Sequence, residues 1–167
     1  MKPLDILIMA AGKGTRMHSH LPKVLQRLAG RPLLQHVLDQ AAQLQARSAI
    51  VITGHGATEV EATSAGWIRA TGQFDLKFAR QEPQLGTGHA VQQALPQLRT
   101  DGTVVVLSGD VPLTQSETLR ALIAASEAVP GGALALLTVT LTEPGGSGVT
   151  VRNAPVAYTH LPLPTQG

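Results

Sequence analysis

A short apolar run near the start of the chain ends abruptly in a loop rich in glycine and basic residues. Residues 6–11 are all apolar, and Gly-Lys-Gly-Thr-Arg follows directly at 12–16. An apolar run of this length bounded by a turn signal is typical of a buried strand. Glycine in the loop lets main-chain N–H groups approach a ligand closely. The sequence therefore predicts a strand whose carboxyl end carries an anion-binding loop.

Three cations, Lys13, Arg16 and Lys23, belong to this loop or follow it closely. Arginine can grip phosphate oxygens in a bidentate fork, so the anion we expect is a phosphate. Two common phosphate loops are excluded. The P-loop requires its lysine directly after the second glycine, before Ser or Thr. The dinucleotide fingerprint requires a third glycine, and Met17 stands in that place.

Further apolar runs alternate with helical patterns along the chain. The predicted strands after the first are 49–53, 76–80, 103–108 and 133–141, and the predicted helices are 32–45, 57–72, 90–98 and 114–128. This alternation predicts an α/β fold, a Rossmann-like and mostly parallel sheet flanked by helices. The continuous run at 103–108 is typical of a central strand buried on both faces. Ligands bind at the carboxyl ends of such strands, so the loops after Ala11, Arg80 and Ser108 are expected on one edge.

Two of these loops carry polar side chains suited to a nucleotide. Asp110 follows a strand in Ser-Gly-Asp-Val-Pro, and one carboxylate is what Mg²⁺ needs when phosphates and water complete its shell. A turn cap before Pro112 is the alternative interpretation of Asp110. The amide of Gln81, followed by Gln-Leu-Gly-Thr-Gly-His at 84–89, offers a donor and an acceptor to a pyrimidine edge. The alternative there is an ordinary helix start that contains glycine.

Three strings together resemble the sugar-nucleotide pyrophosphorylases. They are Ala-Ala-Gly-Lys-Gly-Thr-Arg-Met at 10–17 with Leu-Pro-Lys-Val-Leu at 21–25, the string at 84–89, and Gly-Asp-Val-Pro at 109–112. The chain is most similar to the uridylyltransferase half of the bifunctional N-acetylglucosamine-1-phosphate uridyltransferases and glucosamine-1-phosphate acetyltransferases. The resemblance implies Mg²⁺-dependent uridylyl transfer from UTP to N-acetylglucosamine-1-phosphate. The products would be pyrophosphate and UDP-N-acetylglucosamine, a peptidoglycan precursor used in cell wall biogenesis.

The resemblance also implies roles for individual residues. Arg16 and Lys23 would be catalytic, and Asp110 would bind Mg²⁺. The implied substrate-binding residues are Ala10, Ala11, Gly12, Lys13, Gly14, Thr15, Gln81, Gly86, Thr87, Ser108 and Gly148. Ser108 stands where the family commonly has an aromatic residue, and Val149 where it usually has an arginine. Because the attacking phosphate oxygen is already an anion, no general base is needed, and the histidines are expected to be structural or solvent-facing.

The composition limits the classes of binding partner and the cellular compartment that we expect for this chain. The chain has 167 residues, a net charge of +2 and no cysteine, which excludes disulfides and thiolate metal sites. The charge is too small to predict nucleic-acid or membrane binding, and no apolar stretch is long enough to span a bilayer. We expect a cytoplasmic protein whose partners are UTP and a sugar-1-phosphate. Homo-oligomerisation is expected only if the complete protein has a C-terminal domain.

The resemblance runs from about residue 6 to residue 151. We therefore predict a nucleotidyltransferase domain at 1–153 and an unrelated or disordered tail at 154–167, whose three prolines argue against a regular strand or helix. Further sugar and metal ligands of the family would lie beyond this point, so we expect a truncated domain whose turnover is weak or lost. Two alternatives stay open: a nucleotidyltransferase for another sugar or for a cofactor, and a non-catalytic nucleotide-binding fragment.

Overall fold

A computed structural model describes residues 2–12, 14, 19–129, 134–138, 150–153 and 157–160. The chain divides into two compact units, Met1–Ala125 and Ser126–Gly167. The strands are β1 (Leu4–Ala10), β2 (Arg27–Leu28), β3 (Arg31–Pro32), β4 (Ser48–Thr53), β5 (Asp75–Arg80), β6 (Thr103–Ser108), β7 (Thr150–Asn153) and β8 (Ala157–His160). The helices are α1 (Leu33–Gln43), α2 (Ala57–Thr71), α3 (Thr87–Ala94) and α4 (Ser116–Glu127).

The first unit is built on a parallel sheet with the strand order β5-β4-β1-β6. Every neighbouring pair in it is parallel, and Ile8 of β1 lies opposite Val51 of β4 and Leu107 of β6. Helices connect successive strands of this sheet, because parallel strands need a crossover connection. The predicted α/β fold with a parallel sheet is confirmed.

Helices cover both faces of the sheet. Successive side chains of a strand point to opposite faces, so the apolar strands expose apolar side chains on both faces that need cover. On one face, Ile6 and Ile8 of β1 pack in a cluster with apolar residues of α1, α2 and α4. On the other face, Leu7 of β1 packs with Ala90 and Ala94 of α3. β4 is buried along its whole length. The predicted helices all form, and α4 begins two residues later than predicted, at Ser116.

The position of β6 differs from the prediction. Among the described strands it lies at an edge of the sheet, and Val104 and Val106 remain 38% and 46% exposed. Val105, which points to the opposite face, is buried with Leu119 of α4. The continuous apolar run predicted cover on both faces, but only one face of β6 is covered. The prediction of a central buried strand was therefore wrong.

The second unit contains an antiparallel hairpin of β7 and β8. β8 lies between Pro155 and Pro162, so the prediction that this segment has no regular strand was wrong for residues 157–160. The strand predicted at 133–141 does not form over its described part, 134–138, where Leu134 is 87% exposed. An apolar run alone does not supply the neighbouring strand that its backbone groups need.

The amino edge of the parallel sheet is closed by an ion network. Arg47, just before β4, donates hydrogen bonds to Asp5 of β1 over 2.5 and 3.1 Å and to Asp101 over 2.9 and 3.1 Å. The Ser48 hydroxyl also donates to Asp5, whose side chain is 2% exposed. Hydrogen bonding from Arg47 holds the pKa of Asp5 below its ordinary value, although burial opposes this.

No helix within the described ranges is long and apolar enough to cross a bilayer.

Candidate nucleotide site at the carboxyl edge

The carboxyl ends of the parallel strands border one pocket of about 300 Å³. It is lined by three segments that the sequence keeps far apart, together with the turn at Lys23. The lining residues are Met9, Ala10, Ala11, Gly12, Lys23, Val24, Gln81, Gln84, Gly86, Thr87, Ala90, Ser108 and Asp110. The three loops predicted to share one edge therefore do so, because β1, β5 and β6 run parallel.

An ion pair lies in this pocket. Lys23 Nζ donates to Asp110 Oδ2 over 2.5 Å, and the Ser108 hydroxyl donates to the other carboxylate oxygen over 2.7 Å. Burial opposes ionisation of Asp110, but the hydrogen bonds from Lys23 and Ser108 outweigh it and hold the pKa of Asp110 below its ordinary value. The pocket therefore holds Asp110 as a carboxylate at neutral pH.

The donors around Asp110 can be tested for their fit to a divalent cation. The Asp110 side chain is 26% exposed, and no group of three or more His, Cys, Asp or Glu side chains is found within the described residues. This donor set does not suit Zn²⁺, which requires several protein ligands. A single accessible carboxylate fits Mg²⁺, which is commonly held by one or two carboxylates and by substrate phosphates.

A hydrogen bond joins the loop after β5 to the loop after β1. Gln84 Nε2 donates to the carbonyl oxygen of Ala11 over 2.7 Å. Gly54, at the end of β4, makes room for this contact: a Cβ there would lie 2.5 Å from Gln84 Nε2 and 3.0 Å from the Ala11 Cβ. Gln84 thus fixes the main chain just before Gly12, where we predicted close approach to a ligand.

Gln81 is held at the start of the same loop. Its main-chain N–H donates to the Thr53 carbonyl over 2.7 Å, and its side chain is almost fully buried. Gln81 Nε2 donates to the Gly86 carbonyl over 2.8 Å and lies 3.2 Å from His89 Nδ1. These contacts give the loop a fixed shape around the Gln81 amide.

Two glycines of the predicted site have backbone conformations that other residues rarely adopt. Gly86 has φ 96° and ψ 177°, which turns the chain directly into α3. Gly14 has φ 58°, and a Cβ there would lie 2.9 Å from the Cβ of Lys23. Both glycines are thus required by their conformation, and Gly14 also by the close approach of Lys23.

The described residues include most, but not all, of the predicted site. Of the predicted binding residues, Ala10, Ala11, Gly12, Gln81, Gly86, Thr87 and Ser108 line the pocket with Lys23 and Asp110, and Gly14 lies beside Lys23. Lys13, Thr15, Arg16 and Gly148 lie outside the described residues. The roles of all these residues stay predictions.

Sequence reasoning missed three contacts around the pocket. His89 was expected to be structural or solvent-facing, and its contact with the Gln81 amide was not named. The Gln84 contact with Ala11 was not foreseen, although a glutamine four residues after a strand end could have indicated a contact across the sheet edge. Gln40 of α1 donates to the carbonyl oxygen of Pro112 over 2.8 Å and so fixes the turn that follows Asp110. A polar residue on the buried face of α1 was the available signal.

The chain is similar to known nucleotidyltransferases in sequence. The proteins called bifunctional protein GlmU from Acidovorax ebreus and Polaromonas naphthalenivorans are 72% and 65% identical to it, over 91% and 90% of this chain. The chain spans 31% of the length of each of these curated relatives. The predicted resemblance is thereby confirmed.

Solved structures share the fold at low sequence identity. A UDP-glucose pyrophosphorylase from Acinetobacter matches with a TM-score of 0.64 and 20% identity, over 77% of this chain and 54% of that one. A nucleotidyl transferase from Methanothermobacter matches with a TM-score of 0.61 and 23% identity, over 72% of this chain and 56% of that one. The family model of the MobA-like NTP transferase domain matches residues 6–151 of this chain. The chain belongs to this family of nucleotidyltransferase domains.

Proposed function

We propose that this domain transfers a uridylyl group from UTP to N-acetylglucosamine-1-phosphate and that Mg²⁺ is its cofactor. The observation that carries the proposal is the pocket at the carboxyl edge, where the glycine loop, the Gln81 loop and Asp110 meet. The similarity to proteins called bifunctional protein GlmU and to a solved UDP-glucose pyrophosphorylase supports a sugar-phosphate nucleotidyltransferase. The substrates follow from the motifs that carry the family resemblance.

In this proposal the nucleotide is held by the main chain of the glycine loop and by glutamine side-chain amides. The Gly12 main chain lines the pocket, and among the described residues no atom beyond its chain neighbours lies within 4 Å of where a Cβ of Gly12 would be. The Gln81 amide and the main chain at Gly86 and Thr87 form the opposite wall and receive the base. The contact of Gln84 with Ala11 holds the two walls together before the ligand arrives. Such preorganisation lowers the cost of ordering the site on binding.

The reaction needs no proton transfer to begin. A phosphate oxygen of the sugar-1-phosphate attacks the α-phosphorus of UTP, a new P–O bond forms, and the bond to the bridging oxygen breaks. Pyrophosphate leaves with that electron pair. Lys23 contributes positive charge beside the phosphates, and Arg16 and Lys13 belong to the same loop in sequence.

Asp110 is the residue that would hold Mg²⁺. When bound, the ion neutralises charge on the phosphates of the nucleotide. Asp110 Oδ2 now accepts from Lys23, so the same carboxylate that would face the ion also keeps the lysine inside the pocket. Ser108 fixes the other carboxylate oxygen and so orients Asp110.

Pyrophosphate release tests the proposal. The chain is incubated with Mg²⁺, a sugar-1-phosphate and UTP, CTP or GTP in parallel, and UTP affinity is measured by calorimetry. We expect release with UTP and N-acetylglucosamine-1-phosphate above that with CTP, GTP or glucose-1-phosphate. Preference for another nucleotide would contradict uridylyl transfer and support a nucleotidyltransferase of different specificity. UTP binding without any release would identify a non-catalytic nucleotide-binding fragment.

A further inference from the structure

The turn that carries Lys23 lies against the loop after β4. Gly56, directly before α2, has φ 66° and ψ 26°, which is the left-handed conformation, and it faces the ring of Pro22. A Cβ on Gly56 would collide with Cγ of Pro22 and would lie 3.5 and 3.6 Å from the Cβ and Cδ of the same ring. Pro22 can therefore approach this closely only because position 56 has no side chain.

Gly56 is held in place on its own side of this contact. Its carbonyl oxygen accepts hydrogen bonds from the main-chain N–H groups of Glu59 and Val60, each over 3.1 Å, and Val60 is fully buried. The Pro22 ring is closed onto its own backbone nitrogen, so its Cγ cannot turn away as the end of a flexible side chain could. A side chain at position 56 would therefore have to displace the main chain of Pro22.

Lys23 belongs to the short turn that begins at Pro22. The Pro22 carbonyl oxygen accepts from the main-chain N–H of Leu25 over 2.9 Å, and Leu25 is buried in the core. Because the far end of the turn is fixed in this way, a displacement of Pro22 changes the direction of the main chain at Lys23. The position of Lys23 Nζ, 2.5 Å from Asp110 Oδ2, changes with it.

We propose that Gly56 is a positioning residue for Lys23: it lets Pro22 pack against the start of α2 and so determines where the Lys23 ammonium group lies. The inference rests on the proposed function, because that function places the phosphates of the nucleotide beside Lys23. Gly56 is not among the described residues that line the pocket. Its effect on a ligand therefore passes through the contact with Pro22.

Gly72, at the other end of α2, offers a matched control. Its φ of 61° and ψ of 27° nearly equal those of Gly56. Among the described residues, however, no atom beyond its chain neighbours lies within 4 Å of where a Cβ of Gly72 would be. Gly72→Ala therefore introduces the same backbone strain as Gly56→Ala without a collision. The difference between the two variants measures the contact with Pro22.

UTP dissociation constants, measured by calorimetry with Mg²⁺, test the proposal. We expect Gly56→Ala to weaken UTP binding about tenfold, the worth of one charge-assisted hydrogen bond, and Gly72→Ala to leave it unchanged. In chains that carry Pro22→Ala the ring is absent, so adding Gly56→Ala should change the dissociation constant by less than about threefold. Gly56→Asn adds the same Cβ in a residue that tolerates the left-handed conformation, and it replaces Gly56→Ala if that variant does not fold.

The main-chain amide signals of the unliganded chain give a second readout. Gly56→Ala should shift the signals of Lys23 and Asp110, and Gly72→Ala should not. Equal losses of UTP affinity in Gly56→Ala and Gly72→Ala, or a loss in Gly56→Ala that persists beside Pro22→Ala, would overturn the role of Gly56. Unchanged UTP affinity in Gly56→Ala would overturn it as well. If the wild type does not bind UTP, the proposed function fails, whereas the amide signals still decide whether Gly56 positions Lys23.

Discussion

The two edges of the parallel sheet both collect charged side chains, but they use them differently. At the amino edge, Arg47 pairs with Asp5 and Asp101, and the buried carboxylate of Asp5 is fully satisfied by Arg47 and Ser48. At the carboxyl edge, Lys23 and Asp110 pair across an open pocket of about 300 Å³. The comparison indicates that the amino edge stabilises the fold, whereas the carboxyl edge keeps its charges available to a ligand.

The largest effect on activity is expected from Asp110→Asn. The variant removes the carboxylate that would hold Mg²⁺, so any Mg²⁺-dependent pyrophosphate release of the wild type should be lost. The Mg²⁺ dependence of UTP affinity should also disappear, while the thermal unfolding temperature changes little. Asp39→Asn is the control, because Asp39 pairs with Arg31 outside the pocket. Unchanged activity in Asp110→Asn would refute the role of this residue.

Asp5→Asn should lower the stability of the fold and leave UTP binding unchanged, which is the opposite of what we expect for Asp110→Asn. It leaves Arg47 without its buried partner and should lower the free energy of unfolding at pH 7 by about 3 kcal/mol, measured by urea denaturation. UTP affinity of the folded variant should equal that of the wild type. A loss of UTP affinity without a loss of stability would reverse our assignment of the two edges.

The effect of Asp5→Asn on the free energy of unfolding should depend on pH. The pKa of Asp5 in the folded state lies below its ordinary value of 3.8, so its stabilisation is fully present above that value. The stabilisation is lost as the pH falls through the lower, folded-state pKa. The unfolding free energies of wild type and Asp5→Asn should therefore converge as the pH falls below 3.8 and through the lower, folded-state pKa of Asp5. Parallel pH profiles would show that Arg47 does not stabilise the ionised form of Asp5.

Gly86→Ala tests the backbone conformation of the pocket loop. The φ of 96° at Gly86 is unfavourable for alanine, although a Cβ there would meet no atom of the described residues within 4 Å. We expect a loss of about 1–3 kcal/mol of unfolding free energy and weaker UTP binding. Gly88→Ala is the matched control inside α3, where alanine should be neutral or stabilising. Equal effects of the two substitutions would exclude backbone strain as the cause.

The smallest effect is expected from Gln84→Leu. Loss of the hydrogen bond to the Ala11 carbonyl should weaken UTP binding about tenfold, because the loop after β1 is no longer held in place. Gln97→Leu removes a similar bond, from Gln97 to the Phe78 carbonyl outside the pocket, and should leave UTP affinity unchanged. Equal UTP affinities of the two variants would contradict a positioning role for Gln84.

Much of the fold could be predicted because local patterns determine it. The alternation of apolar strands and amphipathic helices is enough to predict a parallel sheet, and parallel strands place Gly12, Gln81 and Asp110 on one edge. The edge position of β6 could not be predicted in this way. Its apolar run does not say which neighbouring elements will cover Val104 and Val106.

Contacts within the site were harder to predict than its location. The sequence suggested that Lys23 and Asp110 belong to one site, but not that they form an ion pair across 87 residues of sequence. The contact of His89 with the Gln81 amide was not predicted, because the turn at Gly86 brings the two side chains together. Side-chain contacts of this kind depend on loop conformation, which sequence periodicity does not encode.

Amide chemical shifts during a titration with UTP and Mg²⁺ test the contrast between the two edges most directly. We expect the main-chain signals of Gly12, Gly86 and Gly109 at the carboxyl edge to shift and saturate together. The signals of Ser48 and of Gly102, the residue directly before β6, lie at the amino edge and should stay in place. Shifts at Ser48 and Gly102 without shifts at the carboxyl edge would contradict the account.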